Sequence, residues 1–518
     1  MKHVTQNIIK LTIKHFLTTI IYSKTKDTHK FIYFYIFVFL CLNMSLTRKI
    51  AHNTIIQIIG KGGGGILSVV ALALITRYLG REGYGAYTTV IAFLQFFGIL
   101  ANLGLITISV QMISERESKE EIDKIMSNII TLRLISAAFF LGIAPIVALF
   151  FPYPNVIKAG IALTSFAFLF QMILETIVGV FQKHLQMDKP AIAEFLSRVL
   201  YVALVAVLMY LKKGILDILI ALNIANLLWF ALIFWYSKKF VRIRPAFDWR
   251  IWREVLWRAW PIGLSILLNL IYLKADIIIL SLYKSQDAVG LYGAPYKLVD
   301  ALTTFAMMFM GLILPLLASS WAKKDMERFR KIFQKTFNLL IIVIVPMITG
   351  AYLISDKVMI FVAGKSFAES GRILSILSLG AGALFVGALF AHTIVAIDKQ
   401  KLVIWGYLID AILSLIGYFI FIPKYSYIGA AWVTVFSESF IAVIGLVIIY
   451  KQTKILPRFM KIFFKSVLAS VPMAIILYYF KNLQILLLIS LATAVYGGCI
   501  ILARGITKEE VREIIKIK

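Results

Sequence analysis

About fourteen apolar runs, each near the ~20 residues a helix needs to cross a bilayer, succeed one another along this chain. They fall at approximately 52–78, 84–110, 126–150, 156–181, 191–211, 214–236, 259–282, 291–318, 336–361, 372–396, 402–422, 427–449, 464–480 and 484–503. In hydrocarbon every backbone N–H and C=O must find a partner within the protein, and a helix supplies those partners locally. The runs therefore predict an all-α polytopic membrane protein. Composition agrees: 61% of the 518 residues are hydrophobic, against about 45–50% in soluble domains.

The net charge of +28 could point to nucleic acid, but in membrane proteins Lys and Arg collect in cytoplasmic loops. With the N-terminus placed inside, the inner loops carry the basic residues. Examples are Arg116, Lys119 and Lys124; Lys238, Lys239, Arg242 and Arg244; Lys323, Lys324, Arg328, Arg330 and Lys331; and Lys451, Lys454, Arg458 and Lys461. The outer loops hold only Arg81, Lys212, Lys213, Lys284, Lys365, Lys424 and Lys481. This asymmetry predicts a multi-pass protein of the cytoplasmic membrane with both termini cytoplasmic, and it removes nucleic acid as a partner.

The two cysteines, Cys41 and Cys499, lie far apart in apolar runs, and the six histidines show no ligand spacing. No metal site or cofactor is expected. The outer loops are short, so no extracytoplasmic domain is expected to hold an active site, and the chain is not expected to be an enzyme. Residues 1–43 differ in character from the rest of the chain: they are Lys-rich, with the short apolar run 31–42 and no small-residue cleavage site. Met44 is read as the natural start and 1–43 as an upstream extension. The longest inner loop, 237–258, contains Trp249, Trp252 and Trp257 among arginines and predicts an interfacial amphipathic helix.

The chain repeats itself weakly. Glu82-Gly83-Tyr84-Gly85-Ala86-Tyr87 comes after the first span, and Asp287-Ala288-Val289-Gly290-Leu291-Tyr292-Gly293 after the seventh. Both read acid, two residues, Gly, one residue, Tyr. Six spans separate them, an even number, so the halves share one orientation. Parallel repeats of this kind pack about an axis along the membrane normal with a site between them. The expected division is an N-lobe over 44–236, a linker over 237–258, a C-lobe over 259–450, and two further helices with a cytoplasmic tail over 451–518.

These residues also resemble a known family. Thr76-Arg77-Tyr78-Leu79-Gly80, then Glu82-x-Tyr84-Gly85-x-Tyr87 and Asn102-x-Gly104-Leu105, are similar to the opening hairpin of the polysaccharide-transporter family. These are the Wzx-type flippases of the MOP superfamily, relatives of MATE exporters and of the lipid II flippase MurJ. Asp276-Ile-Ile-Ile-Leu, Val289-Gly290-x-Tyr292 and Pro295-Tyr296-Lys297-Leu298 resemble its seventh and eighth helices. Ile428-Gly429-Ala430-Ala431-Trp432 to Glu438 resembles its twelfth. The resemblance implies two pseudo-symmetric six-helix bundles around a central cavity, plus two C-terminal helices. It implies outward flipping of undecaprenyl-diphosphate-linked oligosaccharide, with membrane lipid and polysaccharide polymerase or assembly proteins as partners.

Charged side chains within a span are costly, so they face a cavity or a partner. In the first span Asn53, Gln57 and Lys61 fall at i, i+4, i+8, with Ser68 beyond, beside Gly62 to Gly65. Two readings of Lys61 stand: a cation for a diphosphate, or a lysine snorkelling to the inner surface. In the seventh, Ser265, Asn269, Tyr272 and Asp276 share a face, while Lys274 points nearly opposite to Asp276. Asp276 is the better cavity candidate, with an interhelical hydrogen bond as its alternative, and Lys274 is open to pairing with an acid on a neighbour. Tyr296, Lys297, Asp300 and Thr304 cluster on the eighth, where Lys297 is a sugar or phosphate ligand or an interfacial anchor. Thr164, Gln171, Glu175 and Gln182 share a face of the fourth, and Glu194 and Arg198 on the fifth read as an internal salt bridge. Tyr407, Asp410 and Ser414 line up on the eleventh. His392 reads as packing, and Glu438 is a further intramembrane acid.

The candidate cavity set is thus Asn53, Gln57, Lys61, Arg198, Asn269, Lys274 and Lys297. The candidate coupling acids are Glu175, Asp276, Asp300, Asp410 and Glu438. No G-x-x-x-x-G-K-[ST] is present for ATP energy, so coupling to an ion gradient or the membrane potential is expected. Two other functions compete. A MATE-like exporter of organic cations needs a net acidic cavity, and a membrane-embedded glycosyltransferase or polymerase needs a long outer loop.

Overall fold

The computed structural model describes residues 28–505 except Leu103 and Leu185. It does not describe the side chains of residues 28–59 or of residues 61, 261, 262, 265 and 269–273. The chain divides after Gln57. Before that point the described backbone is helical from Thr28. The expectation about residues 1–43 lies outside the residues whose side chains are described.

All described regular structure is helical. The helices are α1 (Thr28–Asn102), α2 (Leu105–Ser114), α3 (Lys119–Leu149), α4 (Asn155–Lys183), α5 (Asp188–Tyr210), α6 (Ile215–Ser237) and α7 (Trp249–Tyr283). They continue as α8 (Gln286–Ala322), α9 (Met326–Ala363), α10 (Ser370–Ala396), α11 (Val403–Thr453), α12 (Phe459–Tyr479) and α13 (Ile485–Leu502). Among the described residues, 11 helical stretches are long and apolar enough to cross a membrane. Two of them, Gly62–Ser114 and Gln400–Thr453, have 53 and 54 residues and hold two crossings each. The apolar part of α7 is one more, which brings the spans to the number of apolar runs in the sequence. Large apolar side chains such as Phe139, Ile146, Phe166 and Leu486 are exposed around the outside, as lipid-facing positions must be.

Single residues make the folds of the long helices. α1 breaks at Gly80 (φ 67°, ψ −170°), a conformation open to glycine because it lacks Cβ. α11 breaks at Ser426 (φ 52°, ψ −138°), three residues after Pro423. The second span breaks again between α1 and α2, where Gly104 is left-handed (φ 77°). A break in hydrocarbon frees carbonyls that water cannot reach. Arg133 of α3, fully buried, meets them. Its Nη1 donates to Ala101 O and to Asn102 Oδ1, each at 3.1 Å, and its Nε donates to Met172 O at 3.3 Å. Ser136 Oγ also donates to Ala101 O, at 3.2 Å. Orphaning such buried acceptors costs about 1–3 kcal/mol each. Arg133→Leu is therefore expected to lower the Tm of the detergent-solubilised protein by several degrees, with Arg133→Lys intermediate. A differential scanning fluorimetry trace identical to wild type would remove this role.

The linker departs from expectation. Residues 239–248 form no helix, and the amphipathic helix begins only at Trp249 and runs unbroken into the seventh span as α7. The extended segment is lashed to α3. Its alternate amides, those of Arg242, Arg244, Ala246 and Asp248, donate to Asp123 Oδ1, Ser127 Oγ, Thr131 Oγ1 and Asn128 Oδ1 at 2.9, 3.1, 3.0 and 2.7 Å. The two-residue period of extended chain meets the four-residue period of a helix face at 123, 127 and 131. Lys124 Nζ lies 2.8 Å from Asp248 Oδ2, and its hydrogen bond holds the Asp248 carboxyl below its usual value. The tryptophans also divide: Trp249 and Trp257 are exposed, whereas Trp252 packs with Val255 and Ala259 against the core of α2, α3 and α4. One face of the helix therefore docks on protein.

Helices α2–α6 pack among themselves, as do α8–α13. One core belongs to both groups. It places Leu72, Ile75 and Tyr84 with Tyr292, Phe367 and Tyr418 at the end of the molecule that holds Gly80.

Candidate functional site

A cavity of about 510 Å³ lies between the two groups of helices. The N-terminal half contributes Ser68, Tyr84, Tyr87 and Gln95 from α1, Gln171 and Glu175 from α4, Glu194, Arg198 and Tyr201 from α5, and Asn226 and Trp229 from α6. The C-terminal half contributes Lys274 from α7 and Tyr296, Lys297 and Asp300 from α8.

Most of its charges are already paired. Arg198 Nη2 and Nε bind Glu194 Oε1 at 2.7 and 3.1 Å, and Nη1 donates to Ser68 Oγ. Gly64 explains how this arginine lies flat on α1: a Cβ there would stand 3.1 Å from Arg198 Cδ and Nε. Lys274 Nζ lies 3.2 Å from Asp300 Oδ2 and 4.5 Å from the centre of the Tyr296 ring. Glu175 accepts from Gln171 Nε2 at 3.0 Å. Lys297 makes neither hydrogen bond nor ion pair with any described residue. The Trp229 Nε1 in the wall also has no partner among the described residues. The cavity thus offers an anion one uncommitted ammonium, flanked by two neutralised pairs, by the Glu175 carboxylate that Gln171 holds, and by Tyr, Gln and Asn groups able to bond hydroxyls.

Of the expected cavity set, the structure places Arg198, Lys274 and Lys297 together, with the acids Glu175 and Asp300. Asn53, Gln57, Lys61 and Asn269 lie outside the residues whose side chains are described. Asp276 is corrected. It is fully buried away from the cavity wall, accepting from Tyr292 Oη at 2.6 Å and from its own helix at Ile277 N. Lys274, two residues earlier, takes the cavity face instead. The Tyr292 hydroxyl lies 3.2 Å from Thr434 Oγ1, as does the Tyr418 hydroxyl, so Asp276 anchors a buried chain across α7, α8 and α11. Asp410 is likewise outside the wall. It accepts from Ser437 Oγ at 2.7 Å and from Ser414 Oγ at 3.4 Å, and Glu438 is buried beside Ser437. His392 is satisfied by Ala388 O at 2.8 Å.

Sequence reasoning named Tyr296 but missed the other tyrosines of the wall. Tyr84 and Tyr87 entered only as part of the repeated motif; α1 turns at Gly80 alone, so both are helical and three apart on the cavity face. The Tyr87 hydroxyl meets that of Tyr201 at 3.1 Å.

Above the cavity the repeated motifs touch. A Cβ on Gly85 would lie 1.8 Å from Gln286 O, and one on Gly290 would lie 2.0 Å from Arg81 O. Gly290 comes 205 residues after Gly85, and Gln286 comes the same 205 after Arg81, so the contact is two-fold symmetric about the repeat. Arg81 reaches on to Ser366 O, to Glu369 Oε2 at 3.5 Å and to Asp287 Oδ2 at 3.7 Å, and Arg77 donates to Phe361 O. This end of the cavity is shut.

Residues 50–321 match the family model described as polysaccharide biosynthesis protein. The chain is 24% identical over 394 residues to a capsular polysaccharide biosynthesis protein of Staphylococcus aureus, covering 75% of this chain and 94% of that one. Its fold is similar to the lipid II flippase MurJ in an inward closed conformation, with TM-score 0.71 and 18% identity over 89% of this chain and 100% of that one. It is also similar to an inward-facing multidrug resistance MATE family transporter of the MOP superfamily, with TM-score 0.63 and 12% identity over 75% of this chain and 94% of that one.

Proposed function

Because the chain belongs to the polysaccharide biosynthesis protein family, we propose that it flips a lipid-linked oligosaccharide, carried on undecaprenyl diphosphate, across the cytoplasmic membrane by alternating access. The observation that carries this reading is Lys297: a cation without a counterion among the described residues, in a cavity walled by both halves. A diphosphate supplies that counterion, and the tyrosine, glutamine and asparagine groups suit sugar hydroxyls. The cation pairs neutralise Glu194 and Asp300, and Lys297 balances Glu175 in charge, so the described wall is not the net acidic surface an organic cation would need. The excess of basic residues at the linker end supports a cytoplasmic position for that end, with the Gly80 end, shut here, outside.

Coupling is assigned to two of the buried acids of the C-terminal half, Asp276 and Asp410, which sit on the helices that must move against the N-terminal half. The test is transbilayer movement of a fluorescent undecaprenyl-diphosphate oligosaccharide in proteoliposomes, with and without a pH or Na⁺ gradient. Wild type should move the lipid and respond to one gradient. Asp276→Asn should keep basal movement and lose that response. Uptake of an organic cation with no movement of any lipid-linked sugar would overturn the reading in favour of an exporter.

A further inference from the structure

A second cavity lies where α6 ends and the linker begins. It measures about 340 Å³ and is lined by Phe234, Ser237, Lys238 and the linker residues Val241 to Arg244. Lys238, Arg242 and Arg244 are exposed around it, and none makes a side-chain hydrogen bond or ion pair with a described residue. Lys238 only lies over the Phe234 ring, at 5.3 Å. The segment is not free to fold over its own charges, because the ladder to α3 holds the Arg242 and Arg244 amides. Three cations are thus held around one groove; none pairs with a described acid, and the carboxylate that reaches the linker there, Asp123, is held by the Arg242 amide.

The surroundings say what kind of anion fits. The groove has an apolar floor in Phe234, Val241 and Ile243. Trp235, Phe247, Trp249 and Trp257 are exposed near it in sequence, the residues of a membrane–water boundary. Above it, Ile220, Ile224, Leu227 and Trp235 form an exposed apolar stripe at helical spacing down α6. A soluble anion would use none of this surface, whereas a lipid uses all of it, with the acyl chains on the stripe and the phosphate among the cations. The C-terminus of α6 opposes an anion with about half an elementary charge, and the three cations outweigh it.

We propose that this groove is a binding site for the phosphate of an anionic phospholipid of the cytoplasmic leaflet. It seats the interlobe linker on the membrane from one side while α3 holds it from the other. The proposal is independent of what the central cavity carries.

The test is native mass spectrometry of the delipidated full chain, titrated with dioleoylphosphatidylglycerol or dioleoylphosphatidylcholine. Wild type should retain one phosphatidylglycerol more tightly than phosphatidylcholine, and high ionic strength should erase that preference. Lys238→Gln/Arg242→Gln/Arg244→Gln should weaken phosphatidylglycerol binding by about ten-fold or more, since each cation near an anionic lipid contributes to affinity. Arg328→Gln/Arg330→Gln/Lys331→Gln, an equal charge loss at another basic loop, should not. The side chains replaced are exposed, so the melting temperature without lipid should be unchanged. If it falls, the lipid preference of wild type and its loss with salt decide the matter. Equal binding of the two lipids by wild type, equal loss in both triple variants, or inorganic pyrophosphate binding in place of the lipid would overturn the proposal.

Discussion

Gly290→Ala is expected to reduce transport to about 1% of wild type or less while leaving the protein folded. The new Cβ would lie 2.0 Å from the carbonyl oxygen of Arg81, far inside the ~3.5–4.0 Å at which non-bonded carbon atoms pack. The obstacle is backbone, so no side chain can turn away to relieve it. Within its own helix the change is favourable, since alanine is better than glycine by about 1 kcal/mol. The ion pairs holding this end shut are weaker than the overlap. The Arg81 pairs with Asp287 and Glu369, at 3.7 and 3.5 Å, are partly exposed, and such pairs are worth about 0–1 kcal/mol. A bias of about 5.5 kcal/mol turns a 99:1 population into 1:99, and a backbone overlap of this depth exceeds that. The variant should therefore stand open at the Gly80 end. A Gln95→Cys reporter on a background lacking Cys41 and Cys499 should then become reactive to a membrane-impermeant maleimide added outside. Gly85→Ala should behave alike, because its Cβ meets Gln286 O by the same symmetry. Wild-type transport with an unlabelled reporter would show that these glycines do not form the closing contact.

Lys297→Ala should lower the rate of glycolipid movement by about ten- to hundred-fold, the worth of a charge-assisted hydrogen bond of about 1.5–3 kcal/mol. Lys274 makes the informative comparison. Lys274→Ala strands Asp300, its partner at 3.2 Å, so part of its defect should come from the acid left behind. Adding Asp300→Asn should restore activity toward wild type, as a double-mutant cycle reveals for coupled pairs. It should not restore Lys297→Ala, whose ammonium has no ion-pair partner among the described residues to release. Rescue of Lys297→Ala by Asp300→Asn would mean that the two act as one pair and that no cation is reserved for the substrate.

The fold was legible because its determinants are local. Each apolar run names its own helix without knowledge of any contact. The turn at Gly80 and the break at Ser426 fall in the gaps between runs. The Glu194–Arg198 bridge was legible for the same reason, being four apart on one helix. Lys274 was only half legible: its face came from helical geometry, but its partner Asp300 sits on another helix. Asp276 shows the limit. Periodicity put it on a polar face, yet whether that face met a cavity or Tyr292 of α8 depended on how α7 is rotated against its neighbours. Arg133 left no mark in a run read for length, because its role exists only where the break at Gly104 frees the carbonyls of another helix.

The sequence by itself determined that the chain spans a membrane as helices, and it carried a repeated acid-x-x-Gly-x-Tyr motif. The cost of an unsatisfied backbone in hydrocarbon leaves no other secondary structure for such runs. Only the tertiary structure decided what the motif does. Its glycines are where the two halves touch, because the absence of a Cβ matters only when a backbone 205 residues away comes into contact with it.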